Sequence, residues 1–327
     1  MSEILIIGCG VSGLTCGIRL LEQGFAVTIV ARDLPPDTTS NVAAAIWYPY
    51  KAFPEDRVLA WGKVTLDEFY RLMDVPDSGI SAVTLREALT RPAPDPWWKA
   101  AVRSFRRAAP DELPRGYRDG YVVEIPLIET PTYMRYLMRR YSESGGRIEQ
   151  GSVSRLAELT ADHRLIVNCA GVGAREVAGD ESVYPIRGQV VRVERLAGVG
   201  CWLAEDAGDA PTYIIPRGDD CILGGTSQDN NWSLDADAET AADILRRCQQ
   251  IEPTLKDAAI LEHRVGLRPG RPEVRLELEA IDDTCAVIHN YGHGGAGFTL
   301  SWGCADEVAS LAAQWAREVD RLSTNRR

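Results

Sequence analysis

Three groups of residues in this sequence could carry chemistry. Gly8-x-Gly10-x-x-Gly13 follows the apolar run Ile4-Leu5-Ile6-Ile7 and opens a segment with helical spacing. In that setting the first glycine permits a tight turn, the second lets a pyrophosphate approach the backbone, and the third lets helix and sheet pack closely. The amides at the helix start, around Val11 and Ser12, then face the phosphates with the positive end of the helix dipole behind them. Asp33 lies 20 residues past Gly13, where a carboxylate can bind ribose hydroxyls. This pattern reads as dinucleotide binding and does not separate NAD from FAD. The second group is Gly292, Gly294, Gly295 and Gly297 around His293, closing on Thr299. Backbone without side chains can lie close against a planar ring, and a helix starting near Thr299 points its positive end there. An ordinary helix-entry loop is the alternative. The third is Arg268, between Gly266 and Pro269 at the end of an element. Its planar fork matches a carboxylate bidentately; the alternative is a surface arginine, which is the reading for Arg271 and Arg275.

These groups need elements to hold them. The opening run reads as a buried parallel strand. A helix fits Val11 to about Gln23, with Leu14, Ile18 and Leu21 on one face and Gly24 as its stop. Ala26–Val30 is a second buried strand, so the chain starts as a βαβ unit. Residues 32–41, with Pro35-Pro36 and several small polar residues, read as a loop. From about Tyr48 to Glu129 the composition shifts towards Trp, Pro and charge, with an amphipathic helix near Asp56–Met73. Thr130-Pro131 looks like an N-cap with a first-turn proline, and Gly145-Gly146 ends that helix. Leu165–Val167 and Ala286–His289 read as further buried strands. Between them, runs such as Gln189–Val193 and Tyr213–Ile215 suggest antiparallel strands. Helices are expected near Ala238–Gln250 and from about Thr299 to Trp315.

The chain has 327 residues, 45% of them hydrophobic and 25% charged, which suits two modest domains. Its net charge of −11 argues against nucleic acid and anionic membrane surfaces as partners. Arg106-Arg107, Arg139-Arg140 and Arg326-Arg327 are read as solvated surface. Eight scattered cysteines without C-x-x-C read as reduced, small hydrophobes. No histidine pair has zinc spacing, so no metal is expected. Met1-Ser2-Glu3 runs straight into a strand, no apolar stretch reaches membrane-span length, and the last residues are not S-K-L. A cytoplasmic protein is the expectation.

The residues after Asp33 separate FAD from NAD. Thr38 to Tyr50 resembles the flavin-contacting loop of the D-amino-acid oxidase family. The likeness continues through Ile166–Val172, Arg187-Gly188-Gln189, Tyr213–Pro216 and Leu223-Gly224-Gly225. It returns in Glu252–Leu255, Gly266–Pro272 and His289–Thr299, in the family's order and over nearly the whole chain. The resemblance implies an α/β fold with a discontinuous Rossmann-like FAD-binding domain from residues 1–52, 136–186 and 269–327. It implies an α+β substrate domain with a mainly antiparallel sheet from residues 53–135 and 187–268. FAD contacts are expected at Gly8, Gly10, Val11, Ser12 and Gly13, at Arg32 and Asp33, and at Thr39, Ser40, Ala44, Ala45 and Ile46. Further contacts are expected at Val172, Arg268, Gly294, Gly295, Ala296, Gly297, Phe298 and Thr299.

For catalysis the resemblance implies Arg268 and Tyr213 on the substrate carboxylate and the Gly295 carbonyl on the amine. Cα–H is then directed at flavin N5 for hydride transfer. The imino acid hydrolyses to a 2-oxo acid and ammonia, and O₂ takes the electrons to give hydrogen peroxide. The D assignment rests on the family. A homodimer is the default expectation.

The chain departs from the family at several points. The lid before Tyr213 is short, carries Glu205, Asp206 and Asp209, and has no tyrosine. Tyr48 stands where animal members have glutamine and is read either as a pocket wall or as a packed core aromatic. Acidic substrates need a second cation, so the acidic lid favours neutral or basic D-amino acids, unless Arg217 points inward. D-aspartate oxidase, glycine or sarcosine oxidase, and a D-amino-acid dehydrogenase with a non-oxygen acceptor are the alternative activities. A redox-silent dinucleotide-binding protein is the alternative from another class.

Overall fold

The computed structural model describes residues 3–206 and 210–325, so readings placed on Met1, Ser2, Ala207, Gly208, Asp209, Arg326 and Arg327 lie outside them. In chain order the elements begin β1 (Ile4–Ile7), α1 (Val11–Glu22), β2 (Val27–Ala31), α2 (Thr39–Val42), α3 (Glu55–Leu72), β3 (Ile80–Leu89), β4 (Ser104–Arg107) and β5 (Asp119–Ile128). Then come α4 (Thr130–Glu143), β6 (Arg147–Gln150), β7 (Leu165–Asn168), α5 (Ala174–Val177), β8 (Tyr184–Glu194), β9 (Cys201–Ala204), β10 (Thr212–Pro216) and β11 (Asp220–Gly224). The chain closes with β12 (Gln228–Asp229), α6 (Ala238–Ile251), β13 (Ile260–Gly270), β14 (Arg275–Ala280), β15 (Ala286–Tyr291) and α7 (Gly297–Asn325).

The strands form two sheets. The first has the order β14-β15-β7-β1-β2-β6 and is parallel except for the edge strand β14. Its strands come from the start, middle and end of the chain. Every residue of β1 is buried, because helices cover the sheet. From β1 the chain steps to β2 and β6 on one side, then to β7 and β15 on the other. The topological switch point therefore lies between β1 and β7, and in such sheets the ligand crevice opens there, outside the carboxyl ends of the strands. Helices α1 and α7 pack together on this sheet, with α4 beside α1 and α3 beside α7. Leu14, Ile18 and Leu20 of α1 have no more than 0% exposure, and each such burial contributes about 1.5–3 kcal/mol.

The second sheet runs β12-β8-β11-β10-β9-β3-β5-β4, with β13 on β8. It is antiparallel apart from the parallel pair β3–β9. Its middle strands are not the half-buried, alternating type expected. All of β11 is buried and so is most of β8 and β10, because α6 covers one face and the cavity described below lies on the other.

Several sequence expectations shift. Residues 39–42 of the expected loop form the short helix α2. Thr130 is the first helical residue of α4 rather than its cap, which is Glu129. The expected domain border at 135/136 falls inside this one continuous helix, and those at 186/187 and 268/269 fall inside β8 and β13. Helix α7 begins two residues before Thr299 and continues to Asn325, because an apolar stripe from Leu300 to Trp315 stays buried along it. All eight cysteines are buried and free. No described helix is long and apolar enough to cross a membrane.

Candidate active site

A cavity of about 620 Å³ opens at the switch point and runs between the two sheets. Its nucleotide end is the turn after β1. Gly8 has φ +102°, and a Cβ there would lie 2.5 Å from the Cys169 carbonyl oxygen. A Cβ on Gly13 would lie 1.9 Å from the Gly8 carbonyl oxygen. Only glycines let this turn close with α1 pressed on it. The Val11 amide at the start of α1 donates to Ser40 Oγ at 3.0 Å, so the 38–42 segment is tied to the helix end. Arg32 and Asp33 lie at the outer end of the cavity after β2 and pair with each other at 2.8 Å. The arrangement fits a dinucleotide: a side-chain-free turn, a helix N-terminus and a carboxylate beyond β2, all on one continuous wall.

The middle of the cavity is walled by Ala44, Ala45 and Ile46 on one side and by Val172, Gly294, Gly295, Gly297 and Phe298 on another. A Cβ on Gly294 would sit 2.0 Å from the Lys51 carbonyl oxygen, which presses two loops together. The first residues of α7 face this space, placing a positive helix end beside it. His293 is buried, and desolvation pushes its imidazole down to about 4; its Nε2 lies 3.0 Å from Asn290 Oδ1. It therefore stands there neutral.

Three expected contact residues do not line the cavity. Gly13 packs against the Gly8 backbone, Ala296 is wholly buried, and Thr299 is turned to the loop that carries Tyr48. Thr299 Oγ1 accepts from the Tyr48 amide at 3.0 Å and donates to the Tyr48 carbonyl at 2.9 Å. It clamps that loop onto α7.

The far end holds Arg268 on β13 and Tyr213 on β10. Arg268 Nη1 donates to the Thr226 carbonyl at 3.0 Å, and the Tyr213 phenol hydrogen-bonds the same guanidinium. Burial raises the Tyr213 phenol above its ordinary range, with the Arg268 charge opposing. Tyr50 stands beside them, its ring centroid 5.9 Å from the Arg268 guanidinium carbon. The Tyr50 carbonyl also accepts from the Gly295 amide at 3.1 Å, joining the glycine loop to this end. A guanidinium and two phenols thus converge where a planar anion can be bound bidentately.

Sequence reasoning left out Tyr50 and Glu87 as site residues and placed Glu205 in the lid before Tyr213. Tyr48 lines the cavity and packs edge-on to Trp98 at 5.4 Å. Its hydroxyl donates to Glu87 at 3.1 Å and lies 3.4 Å from Glu205. Tyr121 donates to the same Glu87 oxygen. Tyr50 lies within the loop that carried the family likeness; nothing in the local pattern marks Glu87. Arg217 does not point into the cavity. It is buried against Asp220, with both contacts at 2.7 Å, and its Nη1 donates to the Ala44 carbonyl at 3.0 Å.

The fold and the cavity define a flavin-dependent oxidoreductase. The chain belongs to the FAD dependent oxidoreductase (DAO) family, whose model matches residues 3–311. FAD is accordingly its cofactor. The chain is 50% identical to a D-amino-acid oxidase of Rubrobacter xylanophilus over 313 residues, covering 95% of this chain and 96% of the relative. It is 42% identical to a D-amino-acid oxidase of Dictyostelium discoideum, covering 95% and 92%. It is also 33% identical to the D-aspartate oxidase of Homo sapiens, covering 96% and 95%. Among solved structures, the glycine oxidase of Geobacillus kaustophilus superposes with a TM-score of 0.81, covering 96% of this chain and 95% of that one, at 17% identity; this likeness concerns the fold.

Proposed function

We propose that this chain is an FAD-dependent D-amino-acid oxidase that deaminates neutral, and also basic, D-amino acids to 2-oxo acids and ammonia. The pairing of Arg268 with Tyr213, in the same cavity as the nucleotide turn, carries this reading. Arg268 offers two parallel N–H donors to the substrate carboxylate, and Tyr213 adds a phenol donor. The Gly295 carbonyl receives the substrate amine, which fixes the third substituent of Cα. Together they hold the reacting carbon in one orientation, and that positioning is the protein's main contribution. The glycine turn around Gly8, the amides of Val11 and Ser12, Asp33 and the 44–46 strip hold the cofactor. Bound there, FAD would supply the two-electron acceptor for the hydride of Cα and the route by which those electrons reach O₂ as hydrogen peroxide. Buried Leu203, Ile215 and Leu267 keep the wall behind Tyr213 dry, which strengthens every polar contact in front of it.

A D-aspartate preference would need a second cation at the substrate end. Among the described lining residues the cations are Arg32, at the nucleotide end, and Arg268. Arg217 is engaged elsewhere, so neutral and basic substrates suit the cavity better than acidic ones. Free buried thiols suit a reducing, cytoplasmic setting, and a homodimer is the assembly expected for this class. The test is anaerobic mixing with D- and L-alanine. Bleaching of the yellow colour by the D form alone, and one peroxide per turnover in air, are the expected results. Bleaching by L-alanine would reverse the stereochemical assignment, and dye reduction without peroxide would make the enzyme a dehydrogenase.

A further inference from the structure

A second pocket of about 460 Å³ adjoins the main cavity and shares Tyr48, Tyr50, Glu205 and Pro211 with it. Glu205 therefore stands in the partition between the substrate end and this outer pocket. The outer pocket is walled by Phe53, Trp97 and Trp98 and, among charged groups, by Lys51 and Glu55 besides Glu205. Phe53 is 48% exposed and Trp97 37% exposed, so apolar surface faces solvent there. The pocket suits the methylene stem of a long side chain and, with its aromatic rings, the cation at its tip.

Among the described residues Glu205 forms no ion pair. Its described hydrogen bond is to the Tyr48 hydroxyl at 3.4 Å. Lys51, whose charge it feels, lines the outer pocket as well, where it donates to Ser227 Oγ at 2.7 Å and is paired with Asp229 at 3.5 Å rather than with Glu205. The other groups facing it are Tyr50, Tyr121 and the carboxyl of Glu87. A half-buried carboxylate without a counter-ion is costly, and a ligand cation would supply the missing partner. Arg268 already neutralises one substrate charge of negative sign; the partition presents the opposite sign. Burial also raises the Glu205 carboxyl to about 7.

We propose that Glu205 is a specificity-determining residue that selects D-amino acids whose side chains end in a cation, threaded past it into the outer pocket. This rests on the assignment of Arg268 as the carboxylate anchor of a D-amino-acid oxidase.

D-Lysine and D-norleucine have side chains of similar length and differ in the terminal ammonium, so the ratio of their kcat/KM values isolates its contribution. At pH 8.5 the unmodified holoenzyme should favour D-lysine at least about tenfold, the worth of a charged hydrogen bond. In Glu205→Gln the ratio should fall by at least about the same factor. Between pH 6 and 8.5 the ratio should rise as Glu205 ionises, and stay flat in the variant. Two measurements need no variant. Nε-acetyl-D-lysine should lose the advantage of D-lysine. 6-Aminohexanoate, which has no α-amine to oxidise, should raise the Tm of the holoenzyme more than hexanoate does. A parent ratio of one or less, or a variant ratio within twofold of the parent, would overturn the inference while turnover of D-norleucine leaves the oxidase assignment standing. Failure to oxidise either substrate would remove both.

Discussion

The Tyr213 phenol and the Arg268 guanidinium meet although two strands, β8 and β11, lie between theirs. Glycines on the intervening strands make the meeting possible. A Cβ on Gly188 of β8 would lie 2.4 Å from Arg268 Nη1, and one on Gly224 of β11 would lie 2.0 Å from the Tyr213 ring. Both side chains lie down across the sheet in a lane that these residues leave clear.

Gly188→Ala should therefore displace the guanidinium while leaving the fold intact. The contact is with the flexible end of a side chain, so stability changes little and geometry changes more. KM for D-alanine should rise about tenfold as one of two charged hydrogen bonds is lost. Steady-state kinetics with a thermal melt check this. An unchanged KM would mean that the lane is not needed.

Arg268→Ala should lower kcat/KM by about 10²–10³-fold, the cost of removing the charged, half-buried partner of a carboxylate. Flavin absorbance per chain should stay near that of the parent, because the nucleotide turn is at the other end of the cavity. Arg268→Lys should recover only part of the loss, since an ammonium cannot reproduce the fork. Normal turnover in Arg268→Ala would disprove the carboxylate assignment.

Gly13→Ala addresses the cofactor alone. The added carbon would meet backbone, which cannot step aside as a side chain can. The turn must open and α1 must tilt, so the purified variant should be nearly colourless after gel filtration. Retention of the full 450 nm band would contradict this.

Glu87 ties stability to pH. It is 6% exposed, and burial pushes its carboxyl up to about 8. Below the ordinary carboxyl range both folded and unfolded chains keep the proton. Above it the unfolded chain loses the proton first, so this contribution to stability falls as pH rises and is gone once pH passes about 8. Glu87→Gln does not titrate. The Tm of the variant minus that of the parent should thus grow from pH 5 to pH 8.5 and level off above. A difference independent of pH would mean that Glu87 is charged in the fold.

Much of the nucleotide-binding half was legible in the sequence because its signals are local. Ile4–Ile7, the glycines and α1 follow one another within a few turns, and strands buried on both faces read as unbroken apolar runs. The stretch from Tyr48 to Glu129 was legible only as a helix near α3. Strand β3 has no clean period of two, because Ser81–Thr84 lie mostly at the surface while Glu87, Ala88 and Leu89 are buried in succession. Its parallel partner β9 is more than a hundred residues away, and no local pattern announces such a pairing. The meeting of Tyr48, Glu87 and Glu205 depends on that pairing, so these residues could not be grouped in advance. Arg268 and Tyr213 could be named from the family likeness, but the glycine lane that joins them follows from strand register.

The cofactor cradle is stitched from both ends of the chain: β1 and the Gly8 turn come first, while β15, the Gly294–Gly297 loop and α7 come last. During synthesis the substrate sheet can pair as far as Gly270 while the first sheet still lacks β15, which lies beside β7. A nascent chain would thus hold an unfinished cleft until β15, the Gly294–Gly297 loop and the start of α7 have emerged. Flavin capture would thereby wait on β15 and the glycine loop rather than guide the folding of the earlier segments.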